Sequence, residues 1–112
     1  MSPAEYFFAL VAMHALCDYP LQGDYLARAK CRRSDLGKGC MWMQALGAHA
    51  LIQGGGVFVV TGIWWLGALE ALAHALIDFG KCEGRYGIHV DQGLHVACKI
   101  VWLAIFMTVG VP

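Results

Sequence analysis

From Met41 to Gly80 the chain is almost continuously apolar. A helix needs about 20 such residues to cross the hydrocarbon core of a bilayer, so this stretch is roughly two spans long and must double back. Two turn sites compete. A turn at Gly54-Gly55-Gly56 would leave the first arm short. A turn at Thr61-Gly62 gives two similar arms and brings Trp64 and Trp65 to the boundary where indoles prefer to sit. The Thr61-Gly62 turn is the expected one.

Two further apolar runs flank this hairpin. The first starts at Pro3, a residue suited to a first helical turn, and is closed by Pro20. The last ends at Val109. The expected fold is an all-α membrane protein, a four-transmembrane-helix bundle forming one domain over residues 1–112. By the span-length rule the spans cover about 3–19, 41–60, 62–80 and 91–109, with loops at about 20–40 and 81–90. Composition agrees: 14% of residues are charged, against about 25% in soluble domains. The opening residues Met1-Ser2-Pro3-Ala4-Glu5 lack a positive leader region, so the first run is expected to be retained. With 8 basic and 8 acidic residues there is no basic excess to drive nucleic-acid binding.

Loop charges suggest an orientation. Arg28, Lys30, Arg32, Arg33 and Lys38 lie between the first two spans, Lys81 and Arg85 lie before the last, and the hairpin turn carries no charge. The positive-inside rule puts both basic loops in the cytoplasm and both termini outside, in the bacterial inner membrane. The five cysteines (Cys17, Cys31, Cys40, Cys82, Cys98) contain no C-x-x-C pair. They are expected to be small apolar residues or free thiols in a reducing compartment, not a disulfide framework or a zinc knuckle.

Ionisable groups inside spans are costly, so each needs a reason. The first span contains His14-Ala-Leu-Cys-Asp18-Tyr19 and the third His74-Ala-Leu-Ile-Asp78-Phe79; the second contains His49 and the fourth Asp91-Gln92-Gly93-Leu94-His95. His/Asp pairs at i, i+4 share one helical face and can present two ligands to one ion. The chain alternates direction, and the pairs lie late in odd spans and early in even ones. All seven groups are therefore expected at similar depth, near the cytoplasmic leaflet. The repeated H-A-L-x-D motif suggests a parallel two-helix internal repeat in which His49 matches His95 and Ala45 stands opposite Asp91.

The expected ligands are His14, Asp18, His49, His74, Asp78 and His95, holding one or two divalent ions (zinc, manganese or iron). Gln22 and Gln92 are placed to orient ligands. Lys81 is placed to hold anionic charge, and Asp91 to act as general base. Glu70, one turn before His74, is either a further ligand or a group facing a polar cavity. The plainer alternative is a self-satisfied hydrogen-bonded core of histidines and aspartates.

Taken together, H-x-x-x-D-x-x-x-Q (His14, Asp18, Gln22), His49, H-x-x-x-D-x-x-K (His74, Asp78, Lys81) and D-Q-x-x-H (Asp91, Gln92, His95) resemble a family of uncharacterised small membrane proteins of bacteria and phages. The pattern is also similar in style to larger bacterial membrane proteins described as metal-dependent hydrolases. That resemblance implies a membrane-bound metal-dependent hydrolase acting on a lipid-linked, phosphoryl or ester substrate, with membrane lipid as its partner and a homo-oligomer compatible. The alternative is a non-enzymatic phage or bacterial membrane protein whose polar cluster is structural or binds a partner. A proton or ion path ranks third, because four short helices leave little room for alternating access.

Overall fold

The structure, a computed structural model, describes residues 1–110. It is all helical: α1 (Pro3–Asp18), α2 (Gly23–Ala29), α3 (Met41–Thr61), α4 (Trp64–Cys82) and α5 (Ile88–Val109), with no strand among the described residues. Four long helices overlap the four apolar runs, with α5 beginning at Ile88, inside the expected loop at 81–90. The short α2 lies in the first loop, where hydropathy gave no sign of it. Two helices, α3 and α5, are long and apolar enough by themselves to cross a membrane.

Local chemistry sets the helix ends. The Ser2 hydroxyl accepts from the Glu5 N–H at 3.2 Å and the Glu5 carboxylate accepts from the Ser2 N–H at 2.6 Å, a reciprocal capping box that starts α1 at Pro3. The hairpin turns at Thr61-Gly62, as expected. Gly62 takes φ +73°, open to glycine without strain, and its N–H closes α3 onto the Phe58 carbonyl. The Thr61 hydroxyl donates to the Val57 carbonyl and accepts from the Ile63 N–H, at 2.8 and 3.2 Å.

The Gly54-Gly55-Gly56 triplet stays helical because it is a packing surface. A methyl group on Gly67 of α4 would meet the Gly54 carbonyl oxygen at 2.6 Å, and one on Gly56 would meet Met13 of α1 at 2.6 Å. Gly54 and Gly56 thus let α3 approach α4 and α1 closely, while Gly55 faces outward with nothing within 4 Å. The long helices form a ring in which α3 packs on α1 and α4, and α5 closes against the same two.

The interior divides along the bundle axis. Tyr6, Leu10, Val57, Leu66, Trp102 and Phe106 fill the end near the hairpin turn. The opposite end, under the two basic loops, is filled by buried polar side chains. Outward-facing positions such as Phe8, Leu51, Val59, Leu72 and Leu76 are exposed and apolar. Apolar outside with charged inside is the reverse of a water-soluble bundle.

The cysteine expectation needs a correction. Cys31, just past α2, and Cys82, at the end of α4, form a disulfide across 51 residues of sequence. The missing C-x-x-C pattern was no guide, because the partners meet only when the first loop folds over the end of α4. Cys17, Cys40 and Cys98 are free.

Candidate metal centre

The i, i+4 spacing on α1 and α4 aims His14 with Asp18, and His74 with Asp78, into the bundle. The N-terminal halves of α3 and α5 bring His49 and His95 to the same level. Asp18 Oδ1 lies 3.1 Å from His49 Nε2, and Asp78 Oδ1 lies 3.0 Å from His95 Nε2. One contact is thus made twice, between residues that the H-A-L-x-D echo pairs. His49 Nε2 and His74 Nε2 stand 3.1 Å apart, and His74 Nε2 is 3.2 Å from Asp78 Oδ2. His49, His74 and His95 are fully buried.

These side chains form three sets whose ligand atoms all lie within 4.8 Å of one another: Asp18, His49, His74 and Asp78; His14, Glu70 and His74; and Asp78, Asp91 and His95. Each set could hold a metal ion. The first offers two imidazole nitrogens and two carboxylates, a donor mix suited to zinc, manganese or iron. The hydrogen pattern there is constrained. Hydrogens on both His49 Nε2 and His74 Nε2 would set two donors 3.1 Å apart. A hydrogen on only one leaves the other's lone pair against a carboxylate oxygen at 3.1 or 3.2 Å. A shared cation would accept all of these lone pairs together.

Glutamines dress the inner set. Gln92 donates to Asp18 Oδ2 at 2.9 Å and to Asp91 Oδ2 at 3.1 Å, and its carbonyl faces His14 Nε2 at 3.1 Å. Gln22 donates to the Asp18 carbonyl at 2.8 Å. Gln53, which sequence reasoning missed, faces His14 Nδ1 at 3.3 Å and donates to Asp18 Oδ1 at 3.4 Å. Its signal was present: it lies four residues after His49, on the same face of α3. Both ring nitrogens of His14 thus face amide oxygens.

Two lysines also join the buried network. Lys30, read from the sequence as a topology charge, reaches in from the end of α2 and donates to Asp78 Oδ2 at 2.7 Å and to Gln22 Oε1. Lys81, the lysine expected to meet anionic charge, is half-buried, and its ammonium makes no hydrogen bond or ion pair among the described residues. Lys30 reaches Asp78 from the end of α2, across 48 residues of sequence. Lys99, four residues after His95, donates to Glu70 Oε1, and Trp102 Nε1 donates to Glu70 Oε2 at 2.7 Å. Glu70 therefore sits in an ion pair one turn from the histidines, with Oε1 3.5 Å from His74 Nδ1, too long for a good hydrogen bond.

Asp91 is buried, and its Oδ1 has no hydrogen-bond partner, with His95 Nε2 3.4 Å away. His49 Nδ1, His74 Nδ1 and His95 Nδ1 are likewise buried without one. A separate groove of about 340 Å³ lies on the outer face of α3 and α4, between Leu51, Phe58, Trp64 and Ala71. It has no ionisable lining.

Residues 6–111 match a family described as proteins of unknown function, DUF3307. The chain belongs to this family. No curated protein and no solved structure matches it. The match covers every residue of the buried cluster, from His14 to Trp102.

Proposed function

We propose that this DUF3307 member is a four-span protein of the bacterial inner membrane, carrying an intramembrane metal site and acting as a metal-dependent hydrolase on a phosphoryl or ester bond of a lipid or lipid-linked substrate. The observation that carries this reading is the convergence of His49 and His74 Nε2 with Asp18 and Asp78, all buried and within 4.8 Å. Bare imidazole and carboxylate donors at such spacing are costly without a cation, most of all in a bilayer.

The membrane assignment rests on the inverted distribution of polar and apolar side chains. α1 and α4 carry ionisable groups, but His14, Asp18, Glu70, His74 and Asp78 point inward, so the surface these helices offer to lipid stays largely apolar. The twice-made His–Asp contact supports the two-helix repeat.

A divalent ion, when bound, supplies a Lewis acid and an activated water at neutral pH. The chain's own groups do the rest. Gln92, half-buried beside Asp18, marks the more open side of the cluster. Asp91 Oδ1, with no hydrogen-bond partner, is placed to take a proton. Lys81 and Arg85, at the loop end of α4, would hold anionic charge on a substrate.

The test is purification of the full chain in detergent or nanodiscs, elemental analysis, and assays of phosphate and fatty-acid release from phospholipid and lipid-phosphate substrates. Bound zinc, manganese or iron, with hydrolysis lost on chelation and in Asp91→Asn, supports the reading. Protein that folds, carries no metal and takes up none would remove it. Metal without hydrolysis would favour the second reading, a metal-braced structural or partner-binding core, for which the dense Glu70–Lys99–Trp102 network is the supporting observation.

Two features bear on the orientation. Loop charges favour the cytoplasm for the two basic loops. The Cys31–Cys82 disulfide joins those same loops, and disulfides persist in oxidising compartments. We adopt the cytoplasmic placement, and Cys40 labelling tests it.

A further inference from the structure

The ligand sets Asp18/His49/His74/Asp78 and Asp78/Asp91/His95 meet at Asp78. A two-ion site would use the two oxygens of this carboxylate as its bridge. Oδ1 faces His95 at 3.0 Å and is open to that role. Oδ2, the oxygen that also faces His74 at 3.2 Å and His49 at 3.5 Å, already carries the Lys30 ammonium at 2.7 Å. Lys30 is itself buried, only 5% exposed, and is held there by Gln22. Its chain neighbour Arg32 is tethered as well, by a two-pronged ion pair to Glu83. The loop thus delivers one fixed positive charge to the bridging carboxylate.

Charge balance points the same way. The buried ionisable groups besides histidine are four carboxylates (Asp18, Glu70, Asp78, Asp91) and two ammonium groups (Lys30, Lys99). With neutral imidazoles the buried cluster carries two uncompensated negative charges. Uncompensated charge in a low-dielectric interior is strongly unfavourable. One divalent ion restores neutrality, whereas two would leave an excess of positive charge.

Resting on the metal reading above, we propose that the cluster takes a single divalent cation per chain, and that Lys30, held on the Asp78 oxygen that faces His49 and His74, is the built-in counter-charge that stands in for the charge of a second ion. Lys30 then opposes cation binding electrostatically. Its role is to limit the site to one ion, not to build it.

The experiment is titration of the metal-stripped full chain in detergent with Mn²⁺ alone, reading stoichiometry and affinity, for the wild type, Lys30→Gln and Lys30→Arg. The wild type is expected to take one ion. Lys30→Gln is expected to bind Mn²⁺ about tenfold tighter or more, since a unit charge beside a divalent ion is removed. Lys30→Arg, which keeps the charge, is expected to stay within a few-fold of wild type. Two ions per wild-type chain would overturn the proposal. So would unchanged or weaker binding in folded Lys30→Gln, the result if Lys30 merely braces the loop. Should Lys30→Gln fail to fold, the wild-type stoichiometry still decides. No binding at all would instead remove the metal reading on which this one stands.

Discussion

The Nε2 atoms of His49 and His74 stand 3.1 Å apart in the interior of the bundle, on helices that run in opposite directions. The two rings meet at 66° with a centroid separation of 4.9 Å, and both nitrogens border a region shared with Asp18 and Asp78. Everything else in the polar half of the molecule surrounds this pair.

Asp78 is the busiest member of the cluster, with Lys30, His49, His74 and His95 all within 3.5 Å of its carboxylate. Asp78→Asn should abolish stoichiometric metal binding and strand the Lys30 charge. Loss of one partner of a buried ion pair costs about 3–5 kcal/mol. The expected result is metal-free protein with a markedly lower melting temperature. Retention of a full equivalent of metal would show that Asp78 is not a ligand.

Glu70 and Lys99 form a buried pair outside the inner ligand set. Glu70→Gln should destabilise by about 3–5 kcal/mol, because it leaves the Lys99 ammonium without its charge partner. Adding Lys99→Met should restore much of that loss, since replacing both members of a buried pair by uncharged groups is often close to neutral. Melting of the single and double variants, followed by circular dichroism in detergent, measures the coupling. Equal stability of all forms would mean the pair is not formed.

The glycine triplet makes a sharp local prediction. Gly67→Ala drives a methyl group toward the Gly54 carbonyl at 2.6 Å, and should cost about 1–3 kcal/mol as the helices are forced apart. Gly55→Ala meets nothing within 4 Å and should be neutral or slightly stabilising. Thermal melts of the two variants side by side test whether α3 and α4 pack at these positions.

At the loop surface, Arg32 donates two hydrogen bonds to Glu83 and, together with Arg33 and Arg85, holds its carboxyl below the usual range. A depressed carboxyl pKa contributes stability that is fully present above the unfolded value, about 4.5, and is lost as the pH falls through the lower folded value. The loop clasp should therefore be intact at neutral pH and loosen only below about pH 4.5. Glu83→Gln should remove that dependence. Limited proteolysis between Arg28 and Lys38 across pH 7 to 3, using an acid-tolerant protease at the low end, gives the comparison.

Cys40 is exposed and lies in the first loop, whereas Cys17 is buried. A membrane-impermeant maleimide should fail to label Cys40 in intact cells and should label it after lysis if that loop is cytoplasmic. Labelling of intact cells would reverse the topology and place the Cys31–Cys82 disulfide on the oxidising side. In either case, reduction of this disulfide in purified protein should lower stability, by about 4 kcal/mol in the chain-entropy description of a closure of this length.

What the sequence determined by itself is whatever depends on near neighbours along the chain. Hydropathy runs set the four long helices, and a threonine–glycine step set the turn at Gly62. The i, i+4 periodicity put His14 with Asp18 and His74 with Asp78 on common faces, and alternating chain direction put His49 and His95 at the same level. Only tertiary structure decided which distant groups enter the cluster. Lys30 reaches Asp78 across 48 residues, Gln53 reaches His14 across 39, and Cys31 finds Cys82 across 51. Nothing local distinguishes Lys30 from Arg28 or Arg32. What separates them is where the loop after α2 comes to rest against the end of α4, and that is settled by packing. The glycine triplet shows the same division: along the chain it reads as a break, but in the bundle it is the surface that lets α3 approach its neighbours.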